Sequence, residues 1–241
     1  MKREDLINEI SKRIAQIPSP HPLRIAVDGV DASGKTVFSN ALAEALTFTQ
    51  RQVIRASVDG FHQPKTIRRR KGSLSPEGFY QDSYNYPAFI ENLLAPLSPG
   101  GNLRYRTAVF DLEGDRPIQT PFLTAEKDAI LIVDGIFLLR EILLPYWDLK
   151  IYLHADFAHS VPRGVARDQR LLGSKEKAVL RYQQRYVPGQ KLYLAEANPL
   201  DKADILIDNN ILECPEIINR PEKAKNTGTH STKDQPKWRN P

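Results

Sequence analysis

Residues 29–36 read Gly-Val-Asp-Ala-Ser-Gly-Lys-Thr and fit the pattern G-x-x-x-x-G-K-[ST]. The two glycines of this pattern let the backbone approach phosphate groups closely, and the following helix N-terminus favours an anion. The lysine can reach the β- and γ-phosphates of a nucleotide, and the final hydroxyl can ligate Mg²⁺. The motif therefore predicts a nucleotide site with a metal. The residues expected to bind the nucleotide are Gly29, Asp31, Ala32, Ser33, Gly34, Lys35 and Thr36.

The segments on both sides of this loop agree with the motif. Residues 23–27 indicate a short buried strand, and residues 36–46 have helical periodicity. Four further apolar segments of strand length alternate with helical ones: 53–58, 129–133, 149–154 and 203–207. We therefore predict an α/β fold of the P-loop NTPase type, with a parallel sheet of about five strands and helices on both faces.

Composition excludes several other classes of protein. The chain has 241 residues, of which 41% are hydrophobic and 26% are charged, as in ordinary globular proteins. Its net charge of +5 comes mostly from residues 220–241, which hold six Lys/Arg and two acidic residues. Because the rest of the chain is nearly neutral, we expect no nucleic acid as the primary partner.

Cysteine and hydropathy patterns indicate the compartment. Cys214 is the only cysteine, so no intrachain disulfide can form. No apolar run approaches the ~18 residues of a spanning helix, and the N-terminus lacks a signal-type apolar region. We expect a cytoplasmic protein without membrane attachment.

The chain divides into a central domain with flanking segments. Residues 1–20 contain an amphipathic helix over 5–17 that packs at the domain edge, and 21–214 form the P-loop domain. From residue 215 the fraction of apolar residues falls, and polar residues, Pro and Lys dominate. Residues 215–241 are therefore predicted to be a disordered tail.

The long connection between the second and third strands predicts a substrate-facing insert. It covers residues 60–125 and is rich in Pro, Gly, Tyr and basic groups. We expect a helix over 87–97 and a small β excursion over 103–110 and 118–123. Its basic segment, 65–71, either guides a negatively charged substrate or solvates a loop.

Two carboxylates follow predicted strands at the edge where α/β sheets bind ligands. Asp134 ends the strand over 129–133 and can hold Mg²⁺ directly or through water; the alternative is a cap on the next helix. Asp59 ends the strand over 53–58 and is placed to accept a proton from a hydroxyl. The alternative for Asp59 is a carboxylate in the turn before Gly60.

Together these motifs resemble the uridine kinase family, within the phosphoribulokinase and uridine kinase group of P-loop kinases. The resemblance covers residues 24–209. It is carried by the phosphate loop, Asp59-Gly60-Phe61-His62, residues 75–78 with 82–84, Asp134-Gly135-Ile136, and residues 162–168.

The resemblance implies an ATP- and Mg²⁺-dependent kinase that acts on the 5′-hydroxyl of uridine or a related nucleoside. It implies that Asp59 is the base and that Arg163 and Arg167, in a lid region over 156–195, lie near the transferring phosphate. A lid of this kind excludes water; the alternative is an exposed helix face. A homo-oligomer fits the same resemblance.

The acceptor site departs from the family's pattern. Tyr84-Asn85-Tyr86-Pro87 stands where the family has an aromatic-Asp-His-Pro segment whose Asp binds ribose, and the family's base-reading His is replaced after Phe110-Asp111. Two alternatives therefore stay open: a kinase of another alcohol (a sugar, pantothenate-like or vitamin-like compound) and a nucleotide-dependent regulatory NTPase. The expected substrate-binding residues are Phe61, His62, Tyr84, Asn85 and Arg170.

Overall fold

A six-stranded sheet forms the centre of the computed structural model, which describes residues 1–218. The strands of the chain are β1 (Leu23–Gly29), β2 (Val53–Ser57), β3 (Arg104–Tyr105), β4 (Phe110–Asp111), β5 (Arg116–Pro117), β6 (Leu123–Thr124), β7 (Ile130–Asp134), β8 (Leu149–His154), β9 (Ile205–Asp208) and β10 (Glu216–Ile217). The central sheet has the order β10-β9-β8-β1-β7-β2, and all of its pairs are parallel except β10 with β9. The predicted α/β class and its five parallel strands are therefore confirmed.

The described residues also form nine α-helices. They are α1 (Arg3–Ala15), α2 (Lys35–Ala45), α3 (Lys65–Arg68), α4 (Pro76–Asp82), α5 (Tyr86–Phe89), α6 (Phe157–Leu172), α7 (Lys175–Arg181), α8 (Val187–Ala197) and α9 (Pro199–Lys202). Short 3₁₀ turns cover Leu46–Thr49, Val58–Phe61 and Glu141–Tyr146, and π-helical turns cover Ile90–Leu94 and Tyr182–Tyr186. None of the helices within residues 1–218 combines the length and the hydropathy of a membrane-spanning helix.

Parallel register brings the ends of three strands together. Val27 of β1 and Ser57 of β2 are both paired with Asp134 of β7. Because the carboxyl ends of parallel strands meet at one edge of a sheet, the residues that follow them line one crevice.

Two apolar layers cover the sheet because successive strand residues face opposite sides. Ile25 and Val27 pack with Leu6, Ile10 and Leu42, among other residues of α1 and α2. On the other face, Ala26, Leu131 and Val133 pack with aromatic residues that include Phe89 and Phe137. Helices therefore cover both faces, as predicted.

The insert over 60–125 is mostly irregular, with short helices. The predicted helix over 87–97 corresponds to α5 and the π-helical turn that follows it. The β excursion consists of two separate pairs, β3 with β6 and β4 with β5, each of only two residues per strand.

The predicted boundary of the C-terminal tail is wrong by a few residues. Residues 216 and 217 form β10, which pairs with β9 at the edge of the sheet. An antiparallel edge strand of two residues has too few apolar positions to stand out in a polar sequence. The rest of the predicted tail, 219–241, lies outside the described residues.

Candidate active site

The phosphate loop runs from β1 into α2 and has no room for side chains at its glycines. A Cβ on Gly29 would lie 2.4 Å from the carbonyl oxygen of Leu153 on β8. Gly34 has φ +95°, in the left-handed region, and a Cβ there would lie 2.8 Å from Asn209 Nδ2. Both glycines are therefore required by the local geometry.

Several groups of the loop fit a bound polyphosphate. No side chain caps the N-terminus of α2, so the first N–H groups of the helix remain available to an anion. Ser33 Oγ is buried and has no hydrogen-bond partner among residues 1–218. Lys35 is 8% exposed and its Nζ donates to Val30 O at 2.7 Å. Burial lowers the pKa of Lys35, and the nearby carboxylates of Asp31 and Asp28 oppose that shift.

The two residues predicted to hold Mg²⁺ lie in direct contact. Thr36 Oγ1 donates to Asp134 Oδ2 at 2.7 Å, and the Asp134 residue is 2% exposed. The other oxygen, Oδ1, accepts from Arg55 Nη2 at 2.7 Å. In residues 1–218, no group of three or more His, Cys, Asp or Glu forms a metal cage. A hydroxyl and one carboxylate suit Mg²⁺ that takes its other ligands from phosphates and water.

Arg55 is a residue of this site that the sequence reasoning missed. It lies inside β2, where an arginine interrupts an otherwise apolar segment, and that interruption was the available signal. Its guanidinium also donates to Ile132 O at 2.7 Å. Arg55 therefore balances the buried charge of Asp134.

Asp59 presents an accessible carboxylate beside the loop. Its side chain is 61% exposed and lies in the turn after β2. Tyr84 OH donates to Asp59 Oδ1 at 3.1 Å, and His62 Nδ1 lies 3.8 Å from the same oxygen. The rings of His62 and Tyr84 have their centroids 4.6 Å apart. Burial lowers the pKa of His62, so the imidazole next to Asp59 is neutral near pH 7.

Helix α6 places two arginines at the mouth of the cleft. Arg167 Nη2 lies 3.0 Å from Asp31 Oδ1, and its Nε lies 2.7 Å from Asp168 Oδ1. Tyr182 OH lies 2.8 Å from Asp31 Oδ2. Arg163 donates to the carbonyls of residues 209 and 210, which follow β9. The predicted lid is thus tied to the phosphate loop through Asp31.

A cleft of about 640 Å³ contains most of the predicted site residues. Those that line it are Asp31, Ala32, Gly34, Lys35, Thr36, Asp59, His62, Tyr84, Asp134, Arg163 and Arg167. Phe79 and Tyr186, which sequence reasoning did not assign to the site, line it too. Gly29 and Ser33 belong to the phosphate loop but do not line the cleft.

Three predicted substrate-binding residues lie outside the cleft, which corrects the sequence interpretation. Phe61 is fully buried and packs on Phe89, with ring centroids 4.9 Å apart. Asn85 caps α5 by accepting from Ala88 N at 3.1 Å. Arg170 is exposed on α6. Each was placed by proximity in sequence to a motif, which does not determine where its side chain points.

A buried carboxylate supports the phosphate loop from below. Asp28 has no solvent exposure; it accepts hydrogen bonds from Gly29 N at 2.6 Å, from Leu139 N at 3.1 Å, and from Tyr193 OH. Burial raises the pKa of Asp28 to about 6 in spite of these donors. Asp28 therefore connects the phosphate loop to Leu139 and Tyr193, a role that the sequence analysis did not assign to it.

Asp28 should make stability depend on pH. The pKa of Asp28 is higher in the folded than in the unfolded state, so protonated Asp28 adds to the free energy of unfolding. This contribution is fully present below about pH 4 and is lost as the pH rises through about 6. A shift of about two units corresponds to about 3 kcal/mol in the free energy of unfolding. Urea unfolding between pH 4 and 7 should show this decline in the wild type relative to Asp28→Asn. Parallel pH profiles of the two proteins would contradict the assignment.

Comparisons with known proteins agree on the fold. No protein-family model matches this chain. A possible uridine kinase from Bacillus stearothermophilus superposes with a TM-score of 0.67 at 21% identity, covering 84% of this chain and 97% of that one. D-glycerate 3-kinase from Cryptococcus neoformans superposes with a TM-score of 0.57 at 14% identity, covering 89% and 97%. The chain has the fold of P-loop kinases.

A curated relative gives the same indication at the level of sequence. Pantothenate kinase from Streptococcus suis is 29% identical over 181 residues, which are 70% of this chain. The match spans 57% of that relative's length. These proteins are named for different acceptors, so they agree on kinases of small molecules and not on one substrate.

Proposed function

We propose that this protein is a kinase that transfers the γ-phosphoryl group of ATP to a hydroxyl of a small molecule. The observation that carries the proposal is a single cleft with three parts: the lysine of the phosphate loop, the Thr36–Asp134 pair, and the accessible carboxylate of Asp59. A nucleotide switch needs the first two parts only. Asp59 gives the site a group that can accept the proton of an attacking alcohol.

The loop holds the donor. The N–H groups at the start of α2 and the charge of Lys35 bind the phosphates, and Thr36 with Asp134 binds Mg²⁺. When bound, ATP supplies the phosphoryl group and Mg²⁺ neutralises its charge. The buried positions of Lys35 and Asp134 strengthen their interactions with those charges, because water does not screen them.

Asp59 orients and deprotonates the acceptor hydroxyl. Tyr84 OH donates to Oδ1 of Asp59, which leaves Oδ2 available to the acceptor. Arg163 and Arg167 of α6, which line the same cleft, stabilise the charge on the transferring group once Arg167 leaves Asp31. Closure of α6 over the cleft excludes water and limits hydrolysis of ATP.

The acceptor has two candidate classes. The resemblance in the sequence favours uridine or a related nucleoside, and the pantothenate kinase relative favours a different alcohol. His62 and Tyr84 line the cleft in which either acceptor would bind. The test is mass-resolved product formation from ATP, Mg²⁺ and separately offered uridine, cytidine, pantothenate, D-glycerate and fructose. If the protein hydrolysed ATP but formed no phosphorylated product with any acceptor, the kinase function would be contradicted.

Asp134→Asn should weaken the metal site. The amide removes the negative charge that Mg²⁺ needs while keeping the size of the side chain. We expect the apparent affinity for Mg²⁺ to fall about 10-fold or more, measured by calorimetry of ATP binding at a series of Mg²⁺ concentrations. Asp128→Asn is the matched control, because this exposed residue lies just before β7. Equal Mg²⁺ dependence in both variants would contradict the role of Asp134.

A further inference from the structure

Four arginines lie on two chain segments that meet near the cleft residue Phe79, and we call them the arginine cluster: Arg68, Arg69, Arg181 and Arg185. The first two lie at the end of α3, and the others lie on α7 and the π-helical turn after it. Arg185 joins the two segments, because its Nη2 donates to Arg68 O at 3.0 Å. A hydrogen bond therefore joins two segments that lie more than a hundred positions apart in sequence and that each carry two arginines.

Among the described residues, fewer carboxylates than guanidinium groups lie within the arginine cluster, so part of its positive charge has no partner. Arg68 pairs with Asp115 at 2.7 Å. Arg185 is 4% exposed, and its guanidinium donates only to backbone carbonyls, including Ser75 O at 3.0 Å. For Arg69 and Arg181, no carboxylate lies within 4.0 Å and no side-chain hydrogen bond forms among residues 1–218. Both are partly exposed, so an incoming ligand can reach them.

The arginines also destabilise one another's charges. Burial lowers the pKa of Arg69, and the charges of Arg181 and Arg68 lower it further. Burial lowers the pKa of Arg185 to about 10, and its arginine neighbours add to that shift. Like charges held together without a counter-ion cost free energy, and an anion that binds there removes the cost.

The cluster adjoins the proposed acceptor site. Tyr186, which lines the cleft, directly follows Arg185 and packs on Phe79, with ring centroids 4.8 Å apart. Arg185 lies over the Phe79 ring at 5.5 Å. On the other side, Arg68 donates to Gln63 O at 2.6 Å, next in sequence to His62 of the cleft wall. The segments that carry the cluster therefore adjoin the wall of the cleft through Phe79, Tyr186 and His62.

We propose that the acceptor is an alcohol that carries an anionic group, a carboxylate or a phosphate, and that Arg69 and Arg181 bind that group. The inference rests on the proposed kinase function and narrows its substrate class. Guanidinium groups bind both oxyanions through charge-assisted hydrogen bonds. A neutral nucleoside leaves both arginines without a partner.

The experiment offers matched charged and neutral alcohols with ATP and Mg²⁺. The pairs are pantothenate with panthenol, D-glycerate with glycerol, and fructose 6-phosphate with fructose, and uridine is a further neutral acceptor. We expect kcat/KM for one charged member to exceed that of its neutral partner about 100-fold, which corresponds to two charge-assisted hydrogen bonds. The carboxylate and phosphate pairs distinguish the two oxyanions.

Two single substitutions test whether the arginine cluster causes the preference for charged acceptors. Arg69→Gln and Arg181→Gln should each raise KM for the charged acceptor about 10-fold and leave KM for ATP unchanged. Arg13→Gln removes the same charge from the exposed face of α1 and is the control. Calorimetry of the charged and neutral acceptors on Asp59→Asn gives a readout that needs no turnover.

The outcomes separate this inference from the function on which it rests. Transfer that prefers neutral alcohols, or variants that affect charged and neutral members equally, would overturn the anionic acceptor and leave the kinase. Absence of transfer to every alcohol would overturn the kinase function. In that case calorimetry still tests the anion site: equal binding of both members overturns a site at Arg69 and Arg181, and charge-selective binding that is lost in Arg69→Gln supports the site for a ligand that is not an acceptor.

Discussion

Asp59→Asn should reduce phosphoryl transfer about 1,000-fold, while ATP affinity changes less than about 2-fold. General-base catalysis contributes about 10² to 10⁴ in rate. The amide keeps the size of the side chain and can still accept the hydrogen bond from Tyr84, so the cleft keeps its shape. Only the ability to accept the proton of the acceptor is lost. Single-turnover formation of the phosphorylated product, with ATP binding measured separately, checks the prediction.

Asp128→Asn provides the comparison for this experiment too, since it makes the same change at an exposed position outside the cleft. It should retain wild-type transfer. If Asp59→Asn retained more than about a tenth of the wild-type rate, Asp59 would be a positioning residue and the proton would need another acceptor. His62, with Nδ1 3.8 Å from Asp59 Oδ1, would then be the next residue to substitute.

Gly29→Ala should disable the phosphate loop and lower stability together. The added Cβ would lie 2.4 Å from the carbonyl oxygen of Leu153, a backbone atom in the central sheet that cannot move aside. The loop must shift instead, and a displacement of about 1 Å costs about 100-fold in catalysis. We expect a loss of about 3 kcal/mol in the free energy of unfolding, because overpacking of this kind costs about 1–3 kcal/mol. Urea unfolding and calorimetry of ATP binding measure the two effects.

Gly100→Ala makes the same chemical change where space is open. Gly100 has φ +77°, and a Cβ there meets nothing within 4 Å. Its cost comes from backbone conformation alone, about 1–2 kcal/mol, and ATP affinity should not change. Equal effects of the two variants on ATP binding would contradict the argument that the contact with β8 fixes the loop.

The features that could be predicted from the sequence are those that contiguous residues encode. The phosphate loop needs two glycines, a lysine and a hydroxyl at fixed spacing, so the pattern in residues 29–36 carries its own geometry. Apolar periodicity located all five parallel strands. Asp59 and Asp134 followed from the rule that parallel strands end at one edge, and both line the cleft.

Packing decided the positions that neighbouring sequence leaves open. Phe61 follows Asp59 by two residues yet is buried, because a 3₁₀ turn directs its ring into the core. Asn85 stands in a segment compared with a ribose-binding motif, but its side chain caps α5. A motif specifies the order of residues, whereas the direction of each side chain depends on the elements that pack around it.

The α/β fold, the phosphate loop and the two carboxylates at the strand ends could be predicted from the amino-acid sequence, because local spacing and periodicity encode them. The tertiary structure was needed to reveal the pairing of Arg55 with Asp134, the contact of Arg167 with Asp31, and the hydrogen bond from Arg185 to the Arg68 carbonyl. Each of these joins elements far apart in the chain. Charges interact through space over a few ångströms, and the packed sheet and helices decide which of them become neighbours.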